Sequence, residues 1–316
     1  MLLALVIFII YYLRDSWKEA LTEVFRTSYI TLGVIICLAF GYYVIEGGII
    51  SMMAKKYESE FGLLDGIRCG YYSSFYRVVT FGSGSGIAEI AYLNKYGIQG
   101  AKATGMTLIK YILHKITIVL YGLIGYGIAC FTIRDLVRGY GWLLFIGSFI
   151  GVGIALILIL VTISPWFSNN GFRLVRKIIA NKKVWLEKCD ALELQVNILQ
   201  EEAKALLKEK KLLTIIFLNF LKLSLWYLIP GVVCRGEGLT LGLSIILTSI
   251  SLMLAGSIPA PAGYGSLEIV FILLFGKIIS KTKIISVILL YRFATTILPF
   301  LVGGLVTFRK IHAAEG

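Results

Sequence analysis

What most constrains this chain is its set of apolar runs, which approach the roughly 20 residues needed to cross the hydrocarbon of a bilayer and are separated by short polar joints. In lipid such a run satisfies its own amides only by coiling into a helix. The chain has 316 residues, 58% hydrophobic and 16% charged, with a mean hydropathy of +0.85. That excludes an ordinary soluble domain, in which about a quarter of the residues are charged. The expected fold is an all-α, polytopic helical membrane protein, a single integral membrane domain over 1–316, with spans near 27–45, 105–130, 142–163, 212–233, 239–258 and 284–307. The opening MLLALVIFIIYYL lacks the basic start and small-residue cleavage site of a removed signal peptide. It reads instead as a short helix ending near Trp17.

Two places interrupt this pattern, and they resemble each other. Gly82 to Glu89 reads GSGSGIAE, and Gly84 to Ile90 and Gly263 to Ile269 both fit G-x-G-x-x-E-I. Before the first loop, 61–81 is apolar and aromatic yet carries Asp65, Arg68 and Arg77, which argues against a lipid-facing span. With IAEIAYLNKYGI after it, the stretch reads as a hairpin of two half-length helices that enters and leaves on one side. In the second, 239–279, Pro259 and Pro261 forbid a continuous helix. Irregular backbone is tolerated in a bilayer only when buried in protein or lining a wet cavity. The glycines Gly82, Gly84, Gly86, Gly263 and Gly265 therefore serve either as packing hinges or as the lining of such a cavity. In the second case each loop points the positive end of a helix at an anionic phosphate.

The net charge of +13, from 31 basic and 18 acidic residues, reads as the basic bias of cytoplasmic loops rather than as a nucleic-acid footprint. Ten of the basic residues fall between Pro165 and Lys211, which places that stretch inside. On this layout 16 basic residues lie on inner segments and nine on outer ones, with both termini cytoplasmic. The two hairpins then enter from opposite sides, as in transporters built from inverted repeats; the repeats are expected at about 27–163 and 212–308. Between them, Trp185, Cys189, Leu192, Val196, Leu199, Ala203 and Leu206 step by four and three, giving an amphipathic helix within 165–211. It either lies on the inner leaflet, the reading favoured here, or pairs with another helix.

Six basic residues remain at membrane depth: Arg68, Arg77, Lys110, Lys115, Lys222 and Arg292. Arg77, Lys110 and Arg292 suit neutralising Glu89 and Glu268 or binding phosphate, for which arginine has the better fork. Lys115 and Lys222 read as snorkelling toward helix ends, Glu46 as the close of its span, and His114 as a packed imidazole. Glu89 and Glu268 are each either a cap in the first turn of a helix or a functional acid held at membrane depth. The five cysteines are scattered without C-x-x-C spacing, so neither disulfides nor zinc are indicated. There is no H-E-x-x-H and no G-x-S-x-G, no soluble catalytic domain, and no cofactor is expected.

The run RVVTFGSGSGIAEIAYLNKYGIQGAKATGMTLIKYI, together with IPAPAGYGSLEIVFILLFG, resembles the two signatures of the lysylphosphatidylglycerol synthase transmembrane family, the flippase module of the bacterial multiple peptide resistance factor. Two departures stand out: the first loop lacks the prolines common in the family, and the chain as read to Gly316 holds no cytosolic aminoacyl-transferase domain. The resemblance implies a bacterial multi-pass cell-membrane protein that translocates an aminoacylated or other polar phospholipid and contributes to cationic-peptide resistance. It carries site roles onto Arg77, Glu89, Lys110, Glu268 and Arg292. Expected partners are phospholipid, a separate aminoacyl-lipid synthase and a second copy of the chain. The alternatives are the membrane half of a phosphatidylglycerol lysyltransferase system and a non-transporting scaffold.

Overall fold

The computed structural model describes residues 22, 24–180, 183–207, 211–258, 260 and 265–312. Among them every regular element is a helix. The expected N-terminal helix ending near Trp17, and the loop residues Pro259, Pro261 and Gly263, lie outside the described residues.

In chain order the helices are α1 Tyr29–Ala54, α2 Leu63–Val79, α3 Ser85–Lys95, α4 Gly100–Thr132, α5 Arg134–Ile163, α6 Pro165–Ile179 and α7 Lys183–Leu207. They continue with α8 Lys211–Tyr227, α9 Ile229–Val233, α10 Leu241–Gly256, α11 Ser266–Phe275, α12 Lys281–Arg292, a π-helical turn Phe293–Ile297 and α13 Leu298–His312. Among the described residues five stretches are long and apolar enough to cross a membrane: Tyr29–Ala54, Gly100–Thr132, Leu144–Ile163, Lys211–Val233 and Lys281–Phe308. Starts are fixed by side chains that accept the first orphan amides. Ser28 accepts from Thr31 N–H at 3.2 Å, Thr240 from Leu243 at 3.2 Å and Ser280 from Lys283 at 3.3 Å.

Both glycine-motif regions are pairs of short helices, α2–α3 and α10–α11, with 17, 11, 16 and 10 residues. Two of the charges that argued against a lipid-facing span at 61–81 are explained at the start of α2. Asp65 accepts the Gly62 amide at 3.1 Å and the Tyr96 hydroxyl at 2.9 Å, and Arg68 lies 3.8 Å from it. The Tyr96 bond ties the far end of α3 to the near end of α2, so this pair leaves where it enters. The same end of the molecule gathers the α6–α7 hairpin, through contacts of Glu202 with Tyr57 and Lys56. The opposite end joins Glu237 to Lys283 at 2.9 Å, next to the entry of α10 and the exit of α11.

Two expectations are corrected here. Glu46 does not close a span, because α1 continues for two more turns to Ala54. The 165–211 stretch is two helices, and the second does not keep its apolar stripe for lipid. Leu199 and Ala203 are buried against the neighbouring helices, and Gln200 donates to Val161 O of α5 at 2.7 Å. Trp185 and Leu192 of the stripe stay exposed. The polar Gln200 explains the difference, since it can be buried only where a carbonyl accepts its amide.

Helix association in lipid relies on close approach rather than on hydrophobic burial. A Cβ on Gly66 of α2 would run into the Gly47 carbonyl of α1, and one on Gly303 of α13 into the Tyr71 carbonyl of α2. Helix α2 is thereby clamped between α1 and the final part of the Lys281–Phe308 span.

Candidate functional site

The first loop is built by Thr80. Its hydroxyl donates to Tyr76 O at 2.6 Å and accepts the Gly84 amide at 2.7 Å, while Ser83 donates to Thr80 O at 2.8 Å. The chain reverses through left-handed backbone at Phe81, φ 50°, and Gly82, φ 98°; the first is strained for a residue with a side chain. The helix resumes at Ser85, so Gly86 already lies inside α3.

The two motifs consequently differ in register. In the second, Gly265 precedes the first helical residue at φ 90°, and Glu268 in the third position reaches back to the Gly265 amide at 2.7 Å. Glu268 is therefore a cap. Its other oxygen accepts from Arg292 Nε at 2.6 Å. In the first motif the helix begins two residues earlier, which leaves Glu89 at the fifth position, beyond reach of the loop amides. The capping reading is wrong for Glu89, which turns to α4 instead. It is 4% exposed, accepts from Lys110 Nζ at 2.7 Å and from Thr107 Oγ1 at 3.3 Å.

Lys110 also donates to Glu46 Oε1 at 2.7 Å, and Lys222 donates to Glu46 Oε2 at 2.5 Å. Four helices, α1, α3, α4 and α8, thus contribute one ionisable group each to a buried chain of acid, base, acid, base. Lys222 is 1% exposed, so the snorkelling reading fails; its ammonium is held by Glu46 and sits 5.6 Å from the Tyr42 ring. Glu46 was missed in the sequence as a site residue. The available signal was a carboxylate in the run YYVIEGGII, which reads as a span end only if α1 stops there.

A cavity of about 670 Å³ opens between these groups and the first loop. Its wall includes Gly82, Gly86, Glu46, Glu89, Lys110 and Lys222, and also Ala260 from the second loop. A second cavity of about 260 Å³ lies beside Ser266, Tyr291 and Arg292. Arg77 and Lys115 line both. The Lys115 ammonium lies 5.6 Å from the Tyr111 ring. Arg77 closes the last turn of α2, where its guanidinium donates to the Tyr43 hydroxyl at 3.5 Å and to Thr295 O at 3.3 Å. The second contact follows from Pro299, which has no N–H for the carbonyl four residues earlier. His114 lines the larger cavity with Nδ1 buried and making no hydrogen bond among the described residues.

The expected site residues fall into three groups. Gly82, Gly86, Glu89, Lys110 and Arg77 are brought to the larger cavity, and Gly84 adjoins them, packed against Thr80. Arg292 lines the smaller cavity, paired with Glu268, whose cap Gly265 forms part of the same turn. Pro259, Pro261 and Gly263 lie outside the described residues. Comparison with curated proteins yields no match. The family model described as lysylphosphatidylglycerol synthase TM region matches residues 1–303. The glycine loops, the ion-paired helices and the apolar spans thus all fall within the matched region, and the chain belongs to the lysylphosphatidylglycerol synthase transmembrane-region family.

Proposed function

We propose that this chain translocates a phospholipid across the bacterial cell membrane. The observation that carries this reading is the pair of cavities with charged side chains in their walls that share Arg77 and Lys115. Acyl chains cannot solvate a headgroup, and charged groups at membrane depth are expensive unless they serve a pathway. The arrangement supports a headgroup path in which phosphate oxygens are taken by Arg77 and Lys115. The paired helices α2–α3 and α10–α11, open toward opposite ends, rearrange in turn as the two inverted repeats of a transporter do. On this reading 27–163 and 212–308 are the repeats, and the basic α6–α7 hairpin and both termini face the cytoplasm. An aminoacylated lipid is the cargo that the family description suggests; its export would make the outer surface less anionic, and loss of the gene would then sensitise cells to cationic peptides.

The test is reconstitution into vesicles with fluorescent phospholipid. Glu89→Gln removes one charge-assisted bond to Lys110, worth about 1.5–3 kcal/mol, so the rate is expected to fall roughly tenfold or more. Wild-type protein that moves no lipid, or a variant of unchanged rate, overturns the proposal.

A second reading, favoured by the family description itself, is the membrane half of a lysyltransferase system working with a separate synthase. A copurifying transferase, or labelled lysine entering lipid only when that partner is added, would select it. A second copy of the chain is a further proposed partner, checked by the mass of the detergent complex.

A further inference from the structure

The walls of the two cavities meet at one pair of rings. We propose that stacked Tyr42 and Trp226 form the barrier between the cavities, and that Trp226 donates its indole N–H to an oxygen of the headgroup as that barrier parts; this rests on the translocation reading above.

Tyr42 of α1 lines the larger cavity, and Trp226 of α8 lines the smaller one. Their ring centroids lie 3.7 Å apart with the planes 7° from parallel, and the two residues are 6% and 7% exposed. The space between the two walls is thus filled by the rings themselves. Arg77 and Lys115 line both cavities, so the stack stands where the phosphate ligands proposed above are shared.

Two features make this stack a part that moves rather than ordinary packing. Parallel rings at such a distance are close to a full face-to-face sandwich, which aromatic pairs favour less than offset or edge-on contact. Parting them forfeits little. Trp226 also stands in the last turn of α8, and Pro230 has no N–H to offer the Trp226 carbonyl four residues earlier. Helix α8 ends at Tyr227 and α9 begins at Ile229, so the indole is carried next to a break in the backbone ladder. Tyr42 is the fixed half, within α1, with Tyr43 edge-on at 5.3 Å and the Lys222 ammonium 5.6 Å from its ring.

The indole N–H gives the headgroup a reason to part the rings. Nε1 of Trp226 is buried and has no hydrogen-bond partner among the described residues. A buried donor left unpaired is costly. A ligand shifts an equilibrium between two arrangements only through a contact that it makes better in one of them. A phosphate or ester oxygen that accepts from Nε1 is such a contact, and it is missing while the rings are stacked.

Phosphatidylcholine vesicles that hold the full chain and fluorescent phosphatidylglycerol test the assignment. Trp226→Ala removes the barrier and is expected to move lipid roughly two- to tenfold faster than wild type, the scale of one stacked aromatic pair. Tyr42→Leu removes the other ring and carries the same expectation where the alanine variant does not fold. Trp226→Phe keeps a ring but loses the donor, and is expected to be roughly two- to tenfold slower, the scale of one neutral hydrogen bond. Truncations that move lipid no faster identify the stack as packing and overturn the barrier. A phenylalanine variant at the wild-type rate or above overturns the donor role. Both results leave translocation standing, whereas wild-type protein that moves no lipid overturns translocation itself. Labelled inorganic phosphate that enters Trp226→Ala vesicles while lipid movement stays at the wild-type rate assigns the path to a free anion and overturns the headgroup role.

Discussion

Glu46 holds two ammonium groups at once, from Lys110 on one oxygen and Lys222 on the other. Removing one member of a buried ion pair leaves its partner uncompensated, at a penalty of about 3–5 kcal/mol. Glu46→Gln is therefore expected to lower the thermal midpoint of the detergent-solubilised protein more than Glu268→Gln, whose partner Arg292 is 17% exposed at its side chain. The double variant Glu46→Gln with Lys222→Met should be more stable than Glu46→Gln alone, because the stranded charge is gone. A double variant no better than the single would show that Lys222 is not held by Glu46. Glu89 teaches the complementary lesson about sequence. A carboxylate three residues after a glycine is a cap only if the helix starts at that glycine, and Thr80 makes it start earlier.

Helix α2 depends on contacts that only glycine permits. Gly66 faces the Gly47 carbonyl of α1, and Gly303 of α13 faces the Tyr71 carbonyl of α2. Gly66→Val is expected to push α1 and α2 apart, destabilising by about 1–3 kcal/mol, whereas Gly127→Ala, with nothing within 4 Å of an added Cβ, should leave the midpoint unchanged. The π turn before Pro299 offers a second test. Pro299→Ala supplies an amide for Thr295 O, which now accepts from Arg77 at 3.3 Å. The variant should melt at a higher temperature and move lipid more slowly, since Arg77 loses an acceptor at the wall shared by the cavities. Lipid movement as fast as wild type would separate the π turn from function. Proline at 299 was readable in the sequence, but the guanidinium that uses the vacated carbonyl comes from a residue 218 positions away.

Across the whole molecule, the orientation inferred from charge has a direct check. An introduced cysteine replacing Lys277 should react with an impermeant maleimide added outside intact cells, and one replacing Lys204 should react only after permeabilisation. Native Cys234, three residues before the ion-paired Glu237, will stay quiet because burial pushes its thiol up to about 12. Reaction at Lys204 from outside would invert the layout. The sequence by itself determined the helical class, most span limits, the two broken-helix regions and the grouping of loops at two ends, because chain length, hydropathy and proline are local properties that a bilayer reads directly. It also singled out Glu89, Lys110, Glu268 and Arg292 as charges needing an account. Only the tertiary structure decided who pairs with whom. The partnership of Glu46 with Lys222 joins residues 176 positions apart, and the fate of the α7 stripe depended on whether Val161 offered a carbonyl to Gln200. Pairing of buried charges is set by which helix faces meet, and that is a property of packing rather than of composition.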